Sequence, residues 1–369
     1  MGGMDRVRAA VQRLRDWIGR HGAELRLGVR ITVAGVLAYA LAHLLALPQG
    51  YWAVFTAVIV IQASIGGSLK ATIDRLIGTV GGGACGALVA SLVPHSDPVA
   101  LGAALAVALA PLALVAALYP SFRVAPVTAI IVLMGSAGQQ IGPVLSALDR
   151  VLEISLGSVV GLGVSLLVLP ARAHALVAGA AGRTLGLLGR LMTALMAGLS
   201  GGADRAALQR LQDDIRKALF RLATAAEEAR RERDSRLTEA ADPDPLLRTV
   251  RRVRNDLIMI GRAAAEPLPE PLAARLGSPL SAVADAVSAF LRDTGAALAA
   301  RRAPPALAAA EAAFEAYAGA MAELRRSHAT QDQPSDAVGR LFALGFAFEQ
   351  LRRDLKDLSS RASELAAPA

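Results

Sequence analysis

Apolar residues between Leu27 and Leu169 fall into six blocks, each closed by a short polar or turn-forming segment. The blocks are Leu27–Leu47, Tyr51–Ile65, Ala71–Val93, Val99–Tyr119, Val124–Gln140 and Leu148–Leu169, broken by LPQG, GGSLK, PHSDP, PSFR and QQIGP. About 20 mostly apolar residues carry a helix across a bilayer, so the pattern predicts six spans, the second and fifth of them short. From Pro170 the pattern changes to Ala, Leu and Arg at helical spacing. Breaks at GLSGGAD, EAADPDP, EPLPEP, RRAPP and HATQDQPS divide this tail into about six helices, and Asp244-Pro245 reads as an N-cap followed by proline at the first helical position. Leu341, Leu344, Phe348, Leu351, Leu355 and Leu358 step by three and four, the spacing of a helix-packing seam inside a bundle or between two copies. At the start of the chain, Val7, Val11, Leu14 and Ile18 recur at helical spacing among arginines, which predicts an amphipathic helix lying in the membrane interface. A cleaved signal is not expected, because the first apolar block is followed by several of the same kind. The expected fold is all-α: an interfacial helix (1–26), a six-span membrane unit (27–170) and a cytoplasmic helical domain (171–369).

The first half of the membrane pattern returns in the second. PQGYWAVFTAVIVIQASIG from Pro48 aligns with PSFRVAPVTAIIVLMGSAG from Pro120, pairing Ala53 with Ala125, Thr56 with Thr128, Ala57 with Ala129 and Ser64 with Ser136. Three residues out of that register, Asp74-Arg75 pairs with Asp149-Arg150 and Gly82 with Gly157. Three spans per copy invert the second relative to the first. Inverted repeats are a transporter pattern in which the solute site lies near the midplane at the repeat interface.

Charge refines this picture. The 369 residues are 54% hydrophobic with a net charge of +8, yet from Ile31 to Leu169 only four basic residues face four acidic ones. The first 30 residues hold seven Arg against Asp5, Asp16 and Glu24, and the tail holds 28 basic against 24 acidic residues. Basic residues gather on the cytoplasmic side of bacterial inner membranes. With both termini inside, Lys70, Arg75, Arg123 and the tail obey that rule, and Arg150 departs from it. A basic excess beside long apolar blocks, without a nucleic-acid motif, reads as attraction to anionic lipid and not to nucleic acid. Cys85 stands alone in a glycine-rich run, and His43 and His95 are isolated, so neither a disulfide framework nor a metal cluster is expected. The GTVGGG run lacks the GK[ST] ending of a phosphate loop. With no nucleophile arrangement or paired catalytic carboxylates, neither an enzyme nor a cofactor is expected.

Ionisable groups within spans are functional candidates by default. Lys70, Asp74 and Arg75 stand at the entrance to the third block, where they either face a solute path or lie at the interface as topology charges. Arg150 repeats Arg75, and Asp149 repeats Asp74. Glu153, on the same face, either forms a structural salt bridge with Arg150 or carries a coupling proton. Trp52, with Tyr51, suits an interfacial belt anchor or the mouth of a path. Gln62, Ser64 and the Gly66-Gly67-Ser68 corner offer donors to a carboxylate near the end of a short helix, and Gln139 and Gln140 hold the related place in the second copy. Gly78, Gly81, Gly82, Gly83 and Gly86, then Gly157, Gly161 and Gly163, give small faces for close helix packing.

The stretch GYWAVFTAVIVIQASIGGSLKATIDRLIGTVGGG resembles the signature of the fusaric-acid-resistance and aromatic-acid-exporter superfamily: a Gly-Tyr-Trp entry, an Arg followed by Gly-Thr and Gly, and a second-half Arg and Glu, here Arg150 and Glu153. The resemblance covers roughly residues 27–170 and, more loosely, the tail. It implies export of aromatic carboxylates and other organic anions, on a plan similar to the plant aluminium-activated malate channels, with six spans and a cytosolic helical domain. Larger bacterial members carry two membrane units; a single unit implies a homo-oligomer, most simply a dimer. The leading expectation is therefore an inner-membrane exporter or channel for small organic anions, with membrane lipid and a second copy as partners. The alternative is a membrane-anchored scaffold whose cytoplasmic bundle binds a partner.

Overall fold

The computed structural model describes residues 22–94, 97–139, 142–199, 204–328, 331 and 333–367. The amphipathic helix expected around Val7 to Ile18, together with His95 and Gln140, lies outside the described residues, and the side chain of Gln139 is likewise not described. Among the described residues every regular element is helical. In chain order these are α1 (Gly22–Leu44), α2 (Tyr51–Val60), α3 (Ile65–Leu92), α4 (Pro98–Leu118), a 3-10 turn (Pro120–Phe122), α5 (Ala125–Gln139), α6 (Pro143–Leu167), α7 (Ala173–Gly198), α8 (Arg205–Asp234), α9 (Asp244–Ala263), α10 (Glu270–Ala299), α11 (Ala308–Arg326) and α12 (Ser335–Ala366). The chain divides into two compact units, one ending at Ala171 and the other beginning at Arg172.

In the first unit, four helices are long and apolar enough to cross a membrane: Glu24–Leu44, Ile65–Leu92, Pro98–Leu118 and Pro143–Leu167. The second and fifth apolar blocks form shorter helices, Tyr51–Val60 and the stretch Pro120–Gly135. The expected break at GGSLK is instead the first turn of α3. Ser64 takes an extended backbone and caps that turn, its hydroxyl accepting the Gly67 N–H at 2.9 Å, so the helix starts at Ile65 and not at Ala71. Pro143 starts α6 five residues before the expected Leu148, since proline suits a first helical turn. Asp97 caps α4 by accepting the Val99 and Ala100 N–H groups at 3.0 Å.

Glycine decides which helices meet closely. A Cβ on Gly157 of α6 would stand 2.2 Å from the Ala53 carbonyl oxygen of α2, and one on Gly161 would stand 2.9 Å from that of Ala57. On the other side of the unit, a Cβ on Gly82 of α3 would stand 2.2 Å from the Ala125 oxygen of α5, and one on Gly86 3.0 Å from that of Ala129. Residue numbers rise together in both contacts, so α6 runs parallel to α2, and α3 to α5. The Ser165–Ser68 and Gly83–Ala147 contacts run in opposite senses, making α3 and α6 antiparallel. Large apolar side chains such as Phe55, Leu88 and Leu114 are left on the outside, as a lipid-facing surface requires.

The second unit is a bundle of six helices around a leucine- and alanine-rich core. The seam Leu341, Leu344, Phe348, Leu351, Leu355 and Leu358 is buried in that core, so its spacing serves packing within the chain. Asp244 is the first helical residue of α9 and not its cap; Pro243 holds the cap position and the Asp242 carboxylate accepts the Asp244 N–H at 3.1 Å. Glu232, 1% exposed, accepts the Ala173 N–H at the start of α7 with both oxygens, at 3.1 and 3.0 Å. A carboxylate on the free amides of a helix N-terminus is stabilised by the helix dipole.

Candidate functional site

Charged and polar side chains in the membrane unit form layers at different depths. At the start of α2, Arg150 (3% exposed) and Glu153 (fully buried) form an ion pair across one turn of α6, Nη1 to Oε2 at 3.0 Å. Gln49 holds this pair to α2. Its backbone N–H donates to Glu153 Oε1 at 2.8 Å, and its side-chain oxygen accepts from Arg150 Nη2, from the Tyr51 hydroxyl at 2.9 Å and from Trp52 Nε1 at 3.3 Å. The Arg150 guanidinium also lies 4.8 Å from the centroid of the Trp52 ring, within cation–π range. Asp149 is half-buried beside the pair. An apolar cavity of about 470 Å³, walled by Tyr39, Tyr51, Val54 and Phe55, lies alongside this layer.

At the other end of α2 the backbone leaves the helix. Irregular backbone inside an apolar unit persists only where its polar groups find partners. The Ser68 hydroxyl accepts the Gln62 N–H at 2.9 Å and donates to the Ser64 carbonyl at 3.0 Å, and the Ala171 carbonyl accepts the Ile65 N–H at 3.2 Å. Gln62 itself is exposed and turns its amide back onto the Ile59 carbonyl. Arg30 of α1 is buried here, 1% exposed, donating through Nη2 to the Ala63 carbonyl at 3.4 Å. Its Nε and Nη1 have no hydrogen-bond partner among the described residues.

Between these layers runs a polar seam. The Ser165 hydroxyl of α6 donates to Ser68 of α3 at 3.1 Å. One heptad further along each of these antiparallel helices stand Arg75 on α3 and Ser158 on α6, which places them at one level on facing sides. Arg75 Nε and Ser158 Oγ are buried with no hydrogen-bond partner among the described residues, and so are the hydroxyls of Thr72 on α3 and Thr56 on α2. A buried polar group left unpaired costs about 1–3 kcal/mol, so the three on α3 and α6 mark a place where water or a solute completes the bonding. Lys70 pairs with Asp74 one turn away on α3, and Asp74 also accepts the Ser121 hydroxyl at 2.6 Å. These charges are engaged on the side of the 3-10 turn that leads into α5.

The candidate residues therefore separate. Arg150, Glu153 and Trp52 meet around Gln49; Arg75 stands deeper; Lys70 and Asp74 form their own pair; Ser64 is a helix cap. Sequence reasoning missed Gln49, Ser121, Arg30 and Ser158. Gln49 and Ser121 each follow the proline that opens a repeat copy, a signal available in the alignment, whereas Arg30 reads as a flank charge. Among the described residues no cluster of three or more His, Cys, Asp or Glu side chains is placed to hold a metal.

Residues 24–368 match the fusaric acid resistance protein family. The chain belongs to that family. It is a family of membrane transporters, and with its apolar helices the chain is a multi-pass membrane protein. No curated protein matches it.

Proposed function

We propose that this member of the family exports small organic anions, aromatic carboxylates foremost, along the seam between α3 and α6. The observation that carries the reading is that Arg75 Nε and the Ser158 hydroxyl, at one level on antiparallel helices by their register, are both buried with no hydrogen-bond partner among the described residues. A guanidinium with free donors beside a hydroxyl is suited to holding a carboxylate, and the missing neutralisation keeps the site from being filled by the protein itself. Arg150 with its Trp52 and Gln49 partners forms one mouth, next to the aromatic-walled cavity, and Arg30 the other. Both mouths are tempered by partial pairing, so an anion is attracted without being trapped.

The same reading takes all six apolar blocks as spans, with both termini in the cytoplasm, the plasma membrane as the site of action and a dimer as the working form. It joins residues 27–170 as the membrane unit to a cytoplasmic domain from residue 171. The inverted repeat is supported by the exchanged glycine contacts: Gly82 and Gly86 of the first copy press on Ala125 and Ala129 of the second, and Gly157 and Gly161 of the second press on Ala53 and Ala57 of the first.

The test is benzoate flux from sealed vesicles holding the purified chain. Arg75→Ala is expected to lower the rate at least tenfold and Ser158→Ala by a smaller factor, with both variants correctly inserted. Normal flux in Arg75→Ala removes the seam from the mechanism, and no flux of any organic anion by the wild type turns the membrane unit into the anchor of a scaffold.

A further inference from the structure

The second unit contains a cavity of its own between α11 and α12, of about 370 Å³, within the ~300–1,000 Å³ range of small-molecule sites. Its floor is aromatic. Phe314 and Tyr317 both meet the Phe348 ring edge-on, with centroids 5.9 and 5.0 Å away, and all three side chains are buried. Phe342 and Phe346, exposed at 44% and 64%, stand at the opening, which is an uncommon place for two phenylalanines with nothing over them among the described residues.

Two donors serve this apolar space. The Tyr317 side chain is 4% exposed, lines the cavity, and its hydroxyl has no hydrogen-bond partner among the described residues. Burial pushes its ionisation well above the usual phenol range, so the hydroxyl remains a proton donor at neutral pH. The Arg325 guanidinium lies 5.1 Å from the centroid of the Phe342 ring at the rim, exposed and free of ion pairs among the described residues. Gly345 lies beside the phenol: a Cβ there would be in van der Waals contact with the Tyr317 oxygen at 3.8 Å, so a longer side chain at 345 would reach into the space next to the hydroxyl. Glu349 also lines the cavity, and its carboxylate repels a doubly charged ligand more strongly than a singly charged one.

We infer that this cavity binds a small aromatic monocarboxylate, its ring on the Phe314–Phe348 floor and its carboxylate between the Tyr317 hydroxyl and Arg325. Ring stacking and edge contacts favour an aromatic body, the buried donor and the cation favour one acidic group, and Glu349 disfavours two. This second site is built from residues of the second unit alone and does not depend on the transport reading. It gives the helical domain the means to sense a solute.

Binding of benzoate to the full chain in detergent micelles, measured by calorimetry beside benzyl alcohol, tests it. Arg325→Gln is expected to weaken benzoate about tenfold, equivalent to ~1.4 kcal/mol, while leaving benzyl alcohol unchanged. Tyr317→Phe, which keeps the ring and the packing, should weaken benzoate about fivefold. Gly345→Leu should abolish binding of both, with the thermal melt showing a folded chain. The assignment is overturned if benzoate shows no saturable binding, or if its affinity is unchanged in all three variants, which would place it in the membrane unit. A loss in Arg325→Gln with Tyr317→Phe at wild-type affinity would also overturn it, as plain surface attraction.

Discussion

Gly157 lies against Ala53 with no room for a methyl group, its Cβ position 2.2 Å from the Ala53 carbonyl oxygen. The obstacle is backbone, which cannot swing aside like a side-chain tip. Gly157→Ala is expected to force α2 and α6 apart at a cost of about 1–3 kcal/mol or more, seen as a lower melting temperature in detergent. Gly163→Ala, on the same helix with nothing within 4 Å, should melt with the wild type. Equal melting of both variants would remove the close contact.

Glu153 is fully buried and supplies the counter-charge of Arg150. Glu153→Gln leaves a buried guanidinium without it and is expected to destabilise the membrane unit by about 3–5 kcal/mol. Removing both charges in Arg150→Met with Glu153→Gln should recover most of that loss. Denaturant titration of the two single variants and the double variant gives the coupling; additive losses would mean the pair does not act as a unit.

Arg30 is held by one long hydrogen bond and leaves two nitrogens unpaired among the described residues. Arg30→Met keeps the length and removes the charge, so stability should rise while benzoate flux falls. Reduced stability together with normal flux would make Arg30 an ordinary structural residue.

In the second unit the Asp256 carboxyl is pushed up to about 7 by burial and by the neighbouring Asp354 carboxylate, against an opposing pull from Arg252. Arg252 of α9 also bridges Asp354 and Asp357 of α12, and Arg361 pairs with Asp357. An unfolded aspartate titrates near ~3.9, so between about pH 4 and pH 7 the folded chain keeps a proton that the unfolded chain gives up. Stability from this site is therefore present at low pH and lost as pH rises toward 7. Asp256→Asn should flatten that slope and melt higher than the wild type at pH 8, measured by circular dichroism of the full chain across the range. An unchanged slope would show that Asp256 titrates normally.

Much of the fold was legible because apolar block length and Gly/Pro punctuation act locally. The positions of α1, α4 and the six helices of the second unit follow from them. The start of α3 did not, since Gly66-Gly67-Ser68 looks like a loop until the Ser64 hydroxyl is seen capping it. For the candidate site, sequence reading found the charges but not their company. That Arg150 belongs with Gln49, about a hundred residues away, depends on α2 and α6 lying side by side, and that depends on glycines whose partners no spacing reveals. Arg30 was hidden by its position next to a basic flank, where a buried arginine and a topology charge look alike.

Helix α2 has ten residues and so rises only about 15 Å, half the ~30 Å of a bilayer's hydrocarbon. Arg150 is tied to its first turn and Arg30 to the chain just past its last. The insulating layer that separates these two cations is thus much thinner than the membrane around it. On the proposed export path an anion would never be far from one guanidinium or the other, and the electrostatic barrier it met would be set by the length of one short helix.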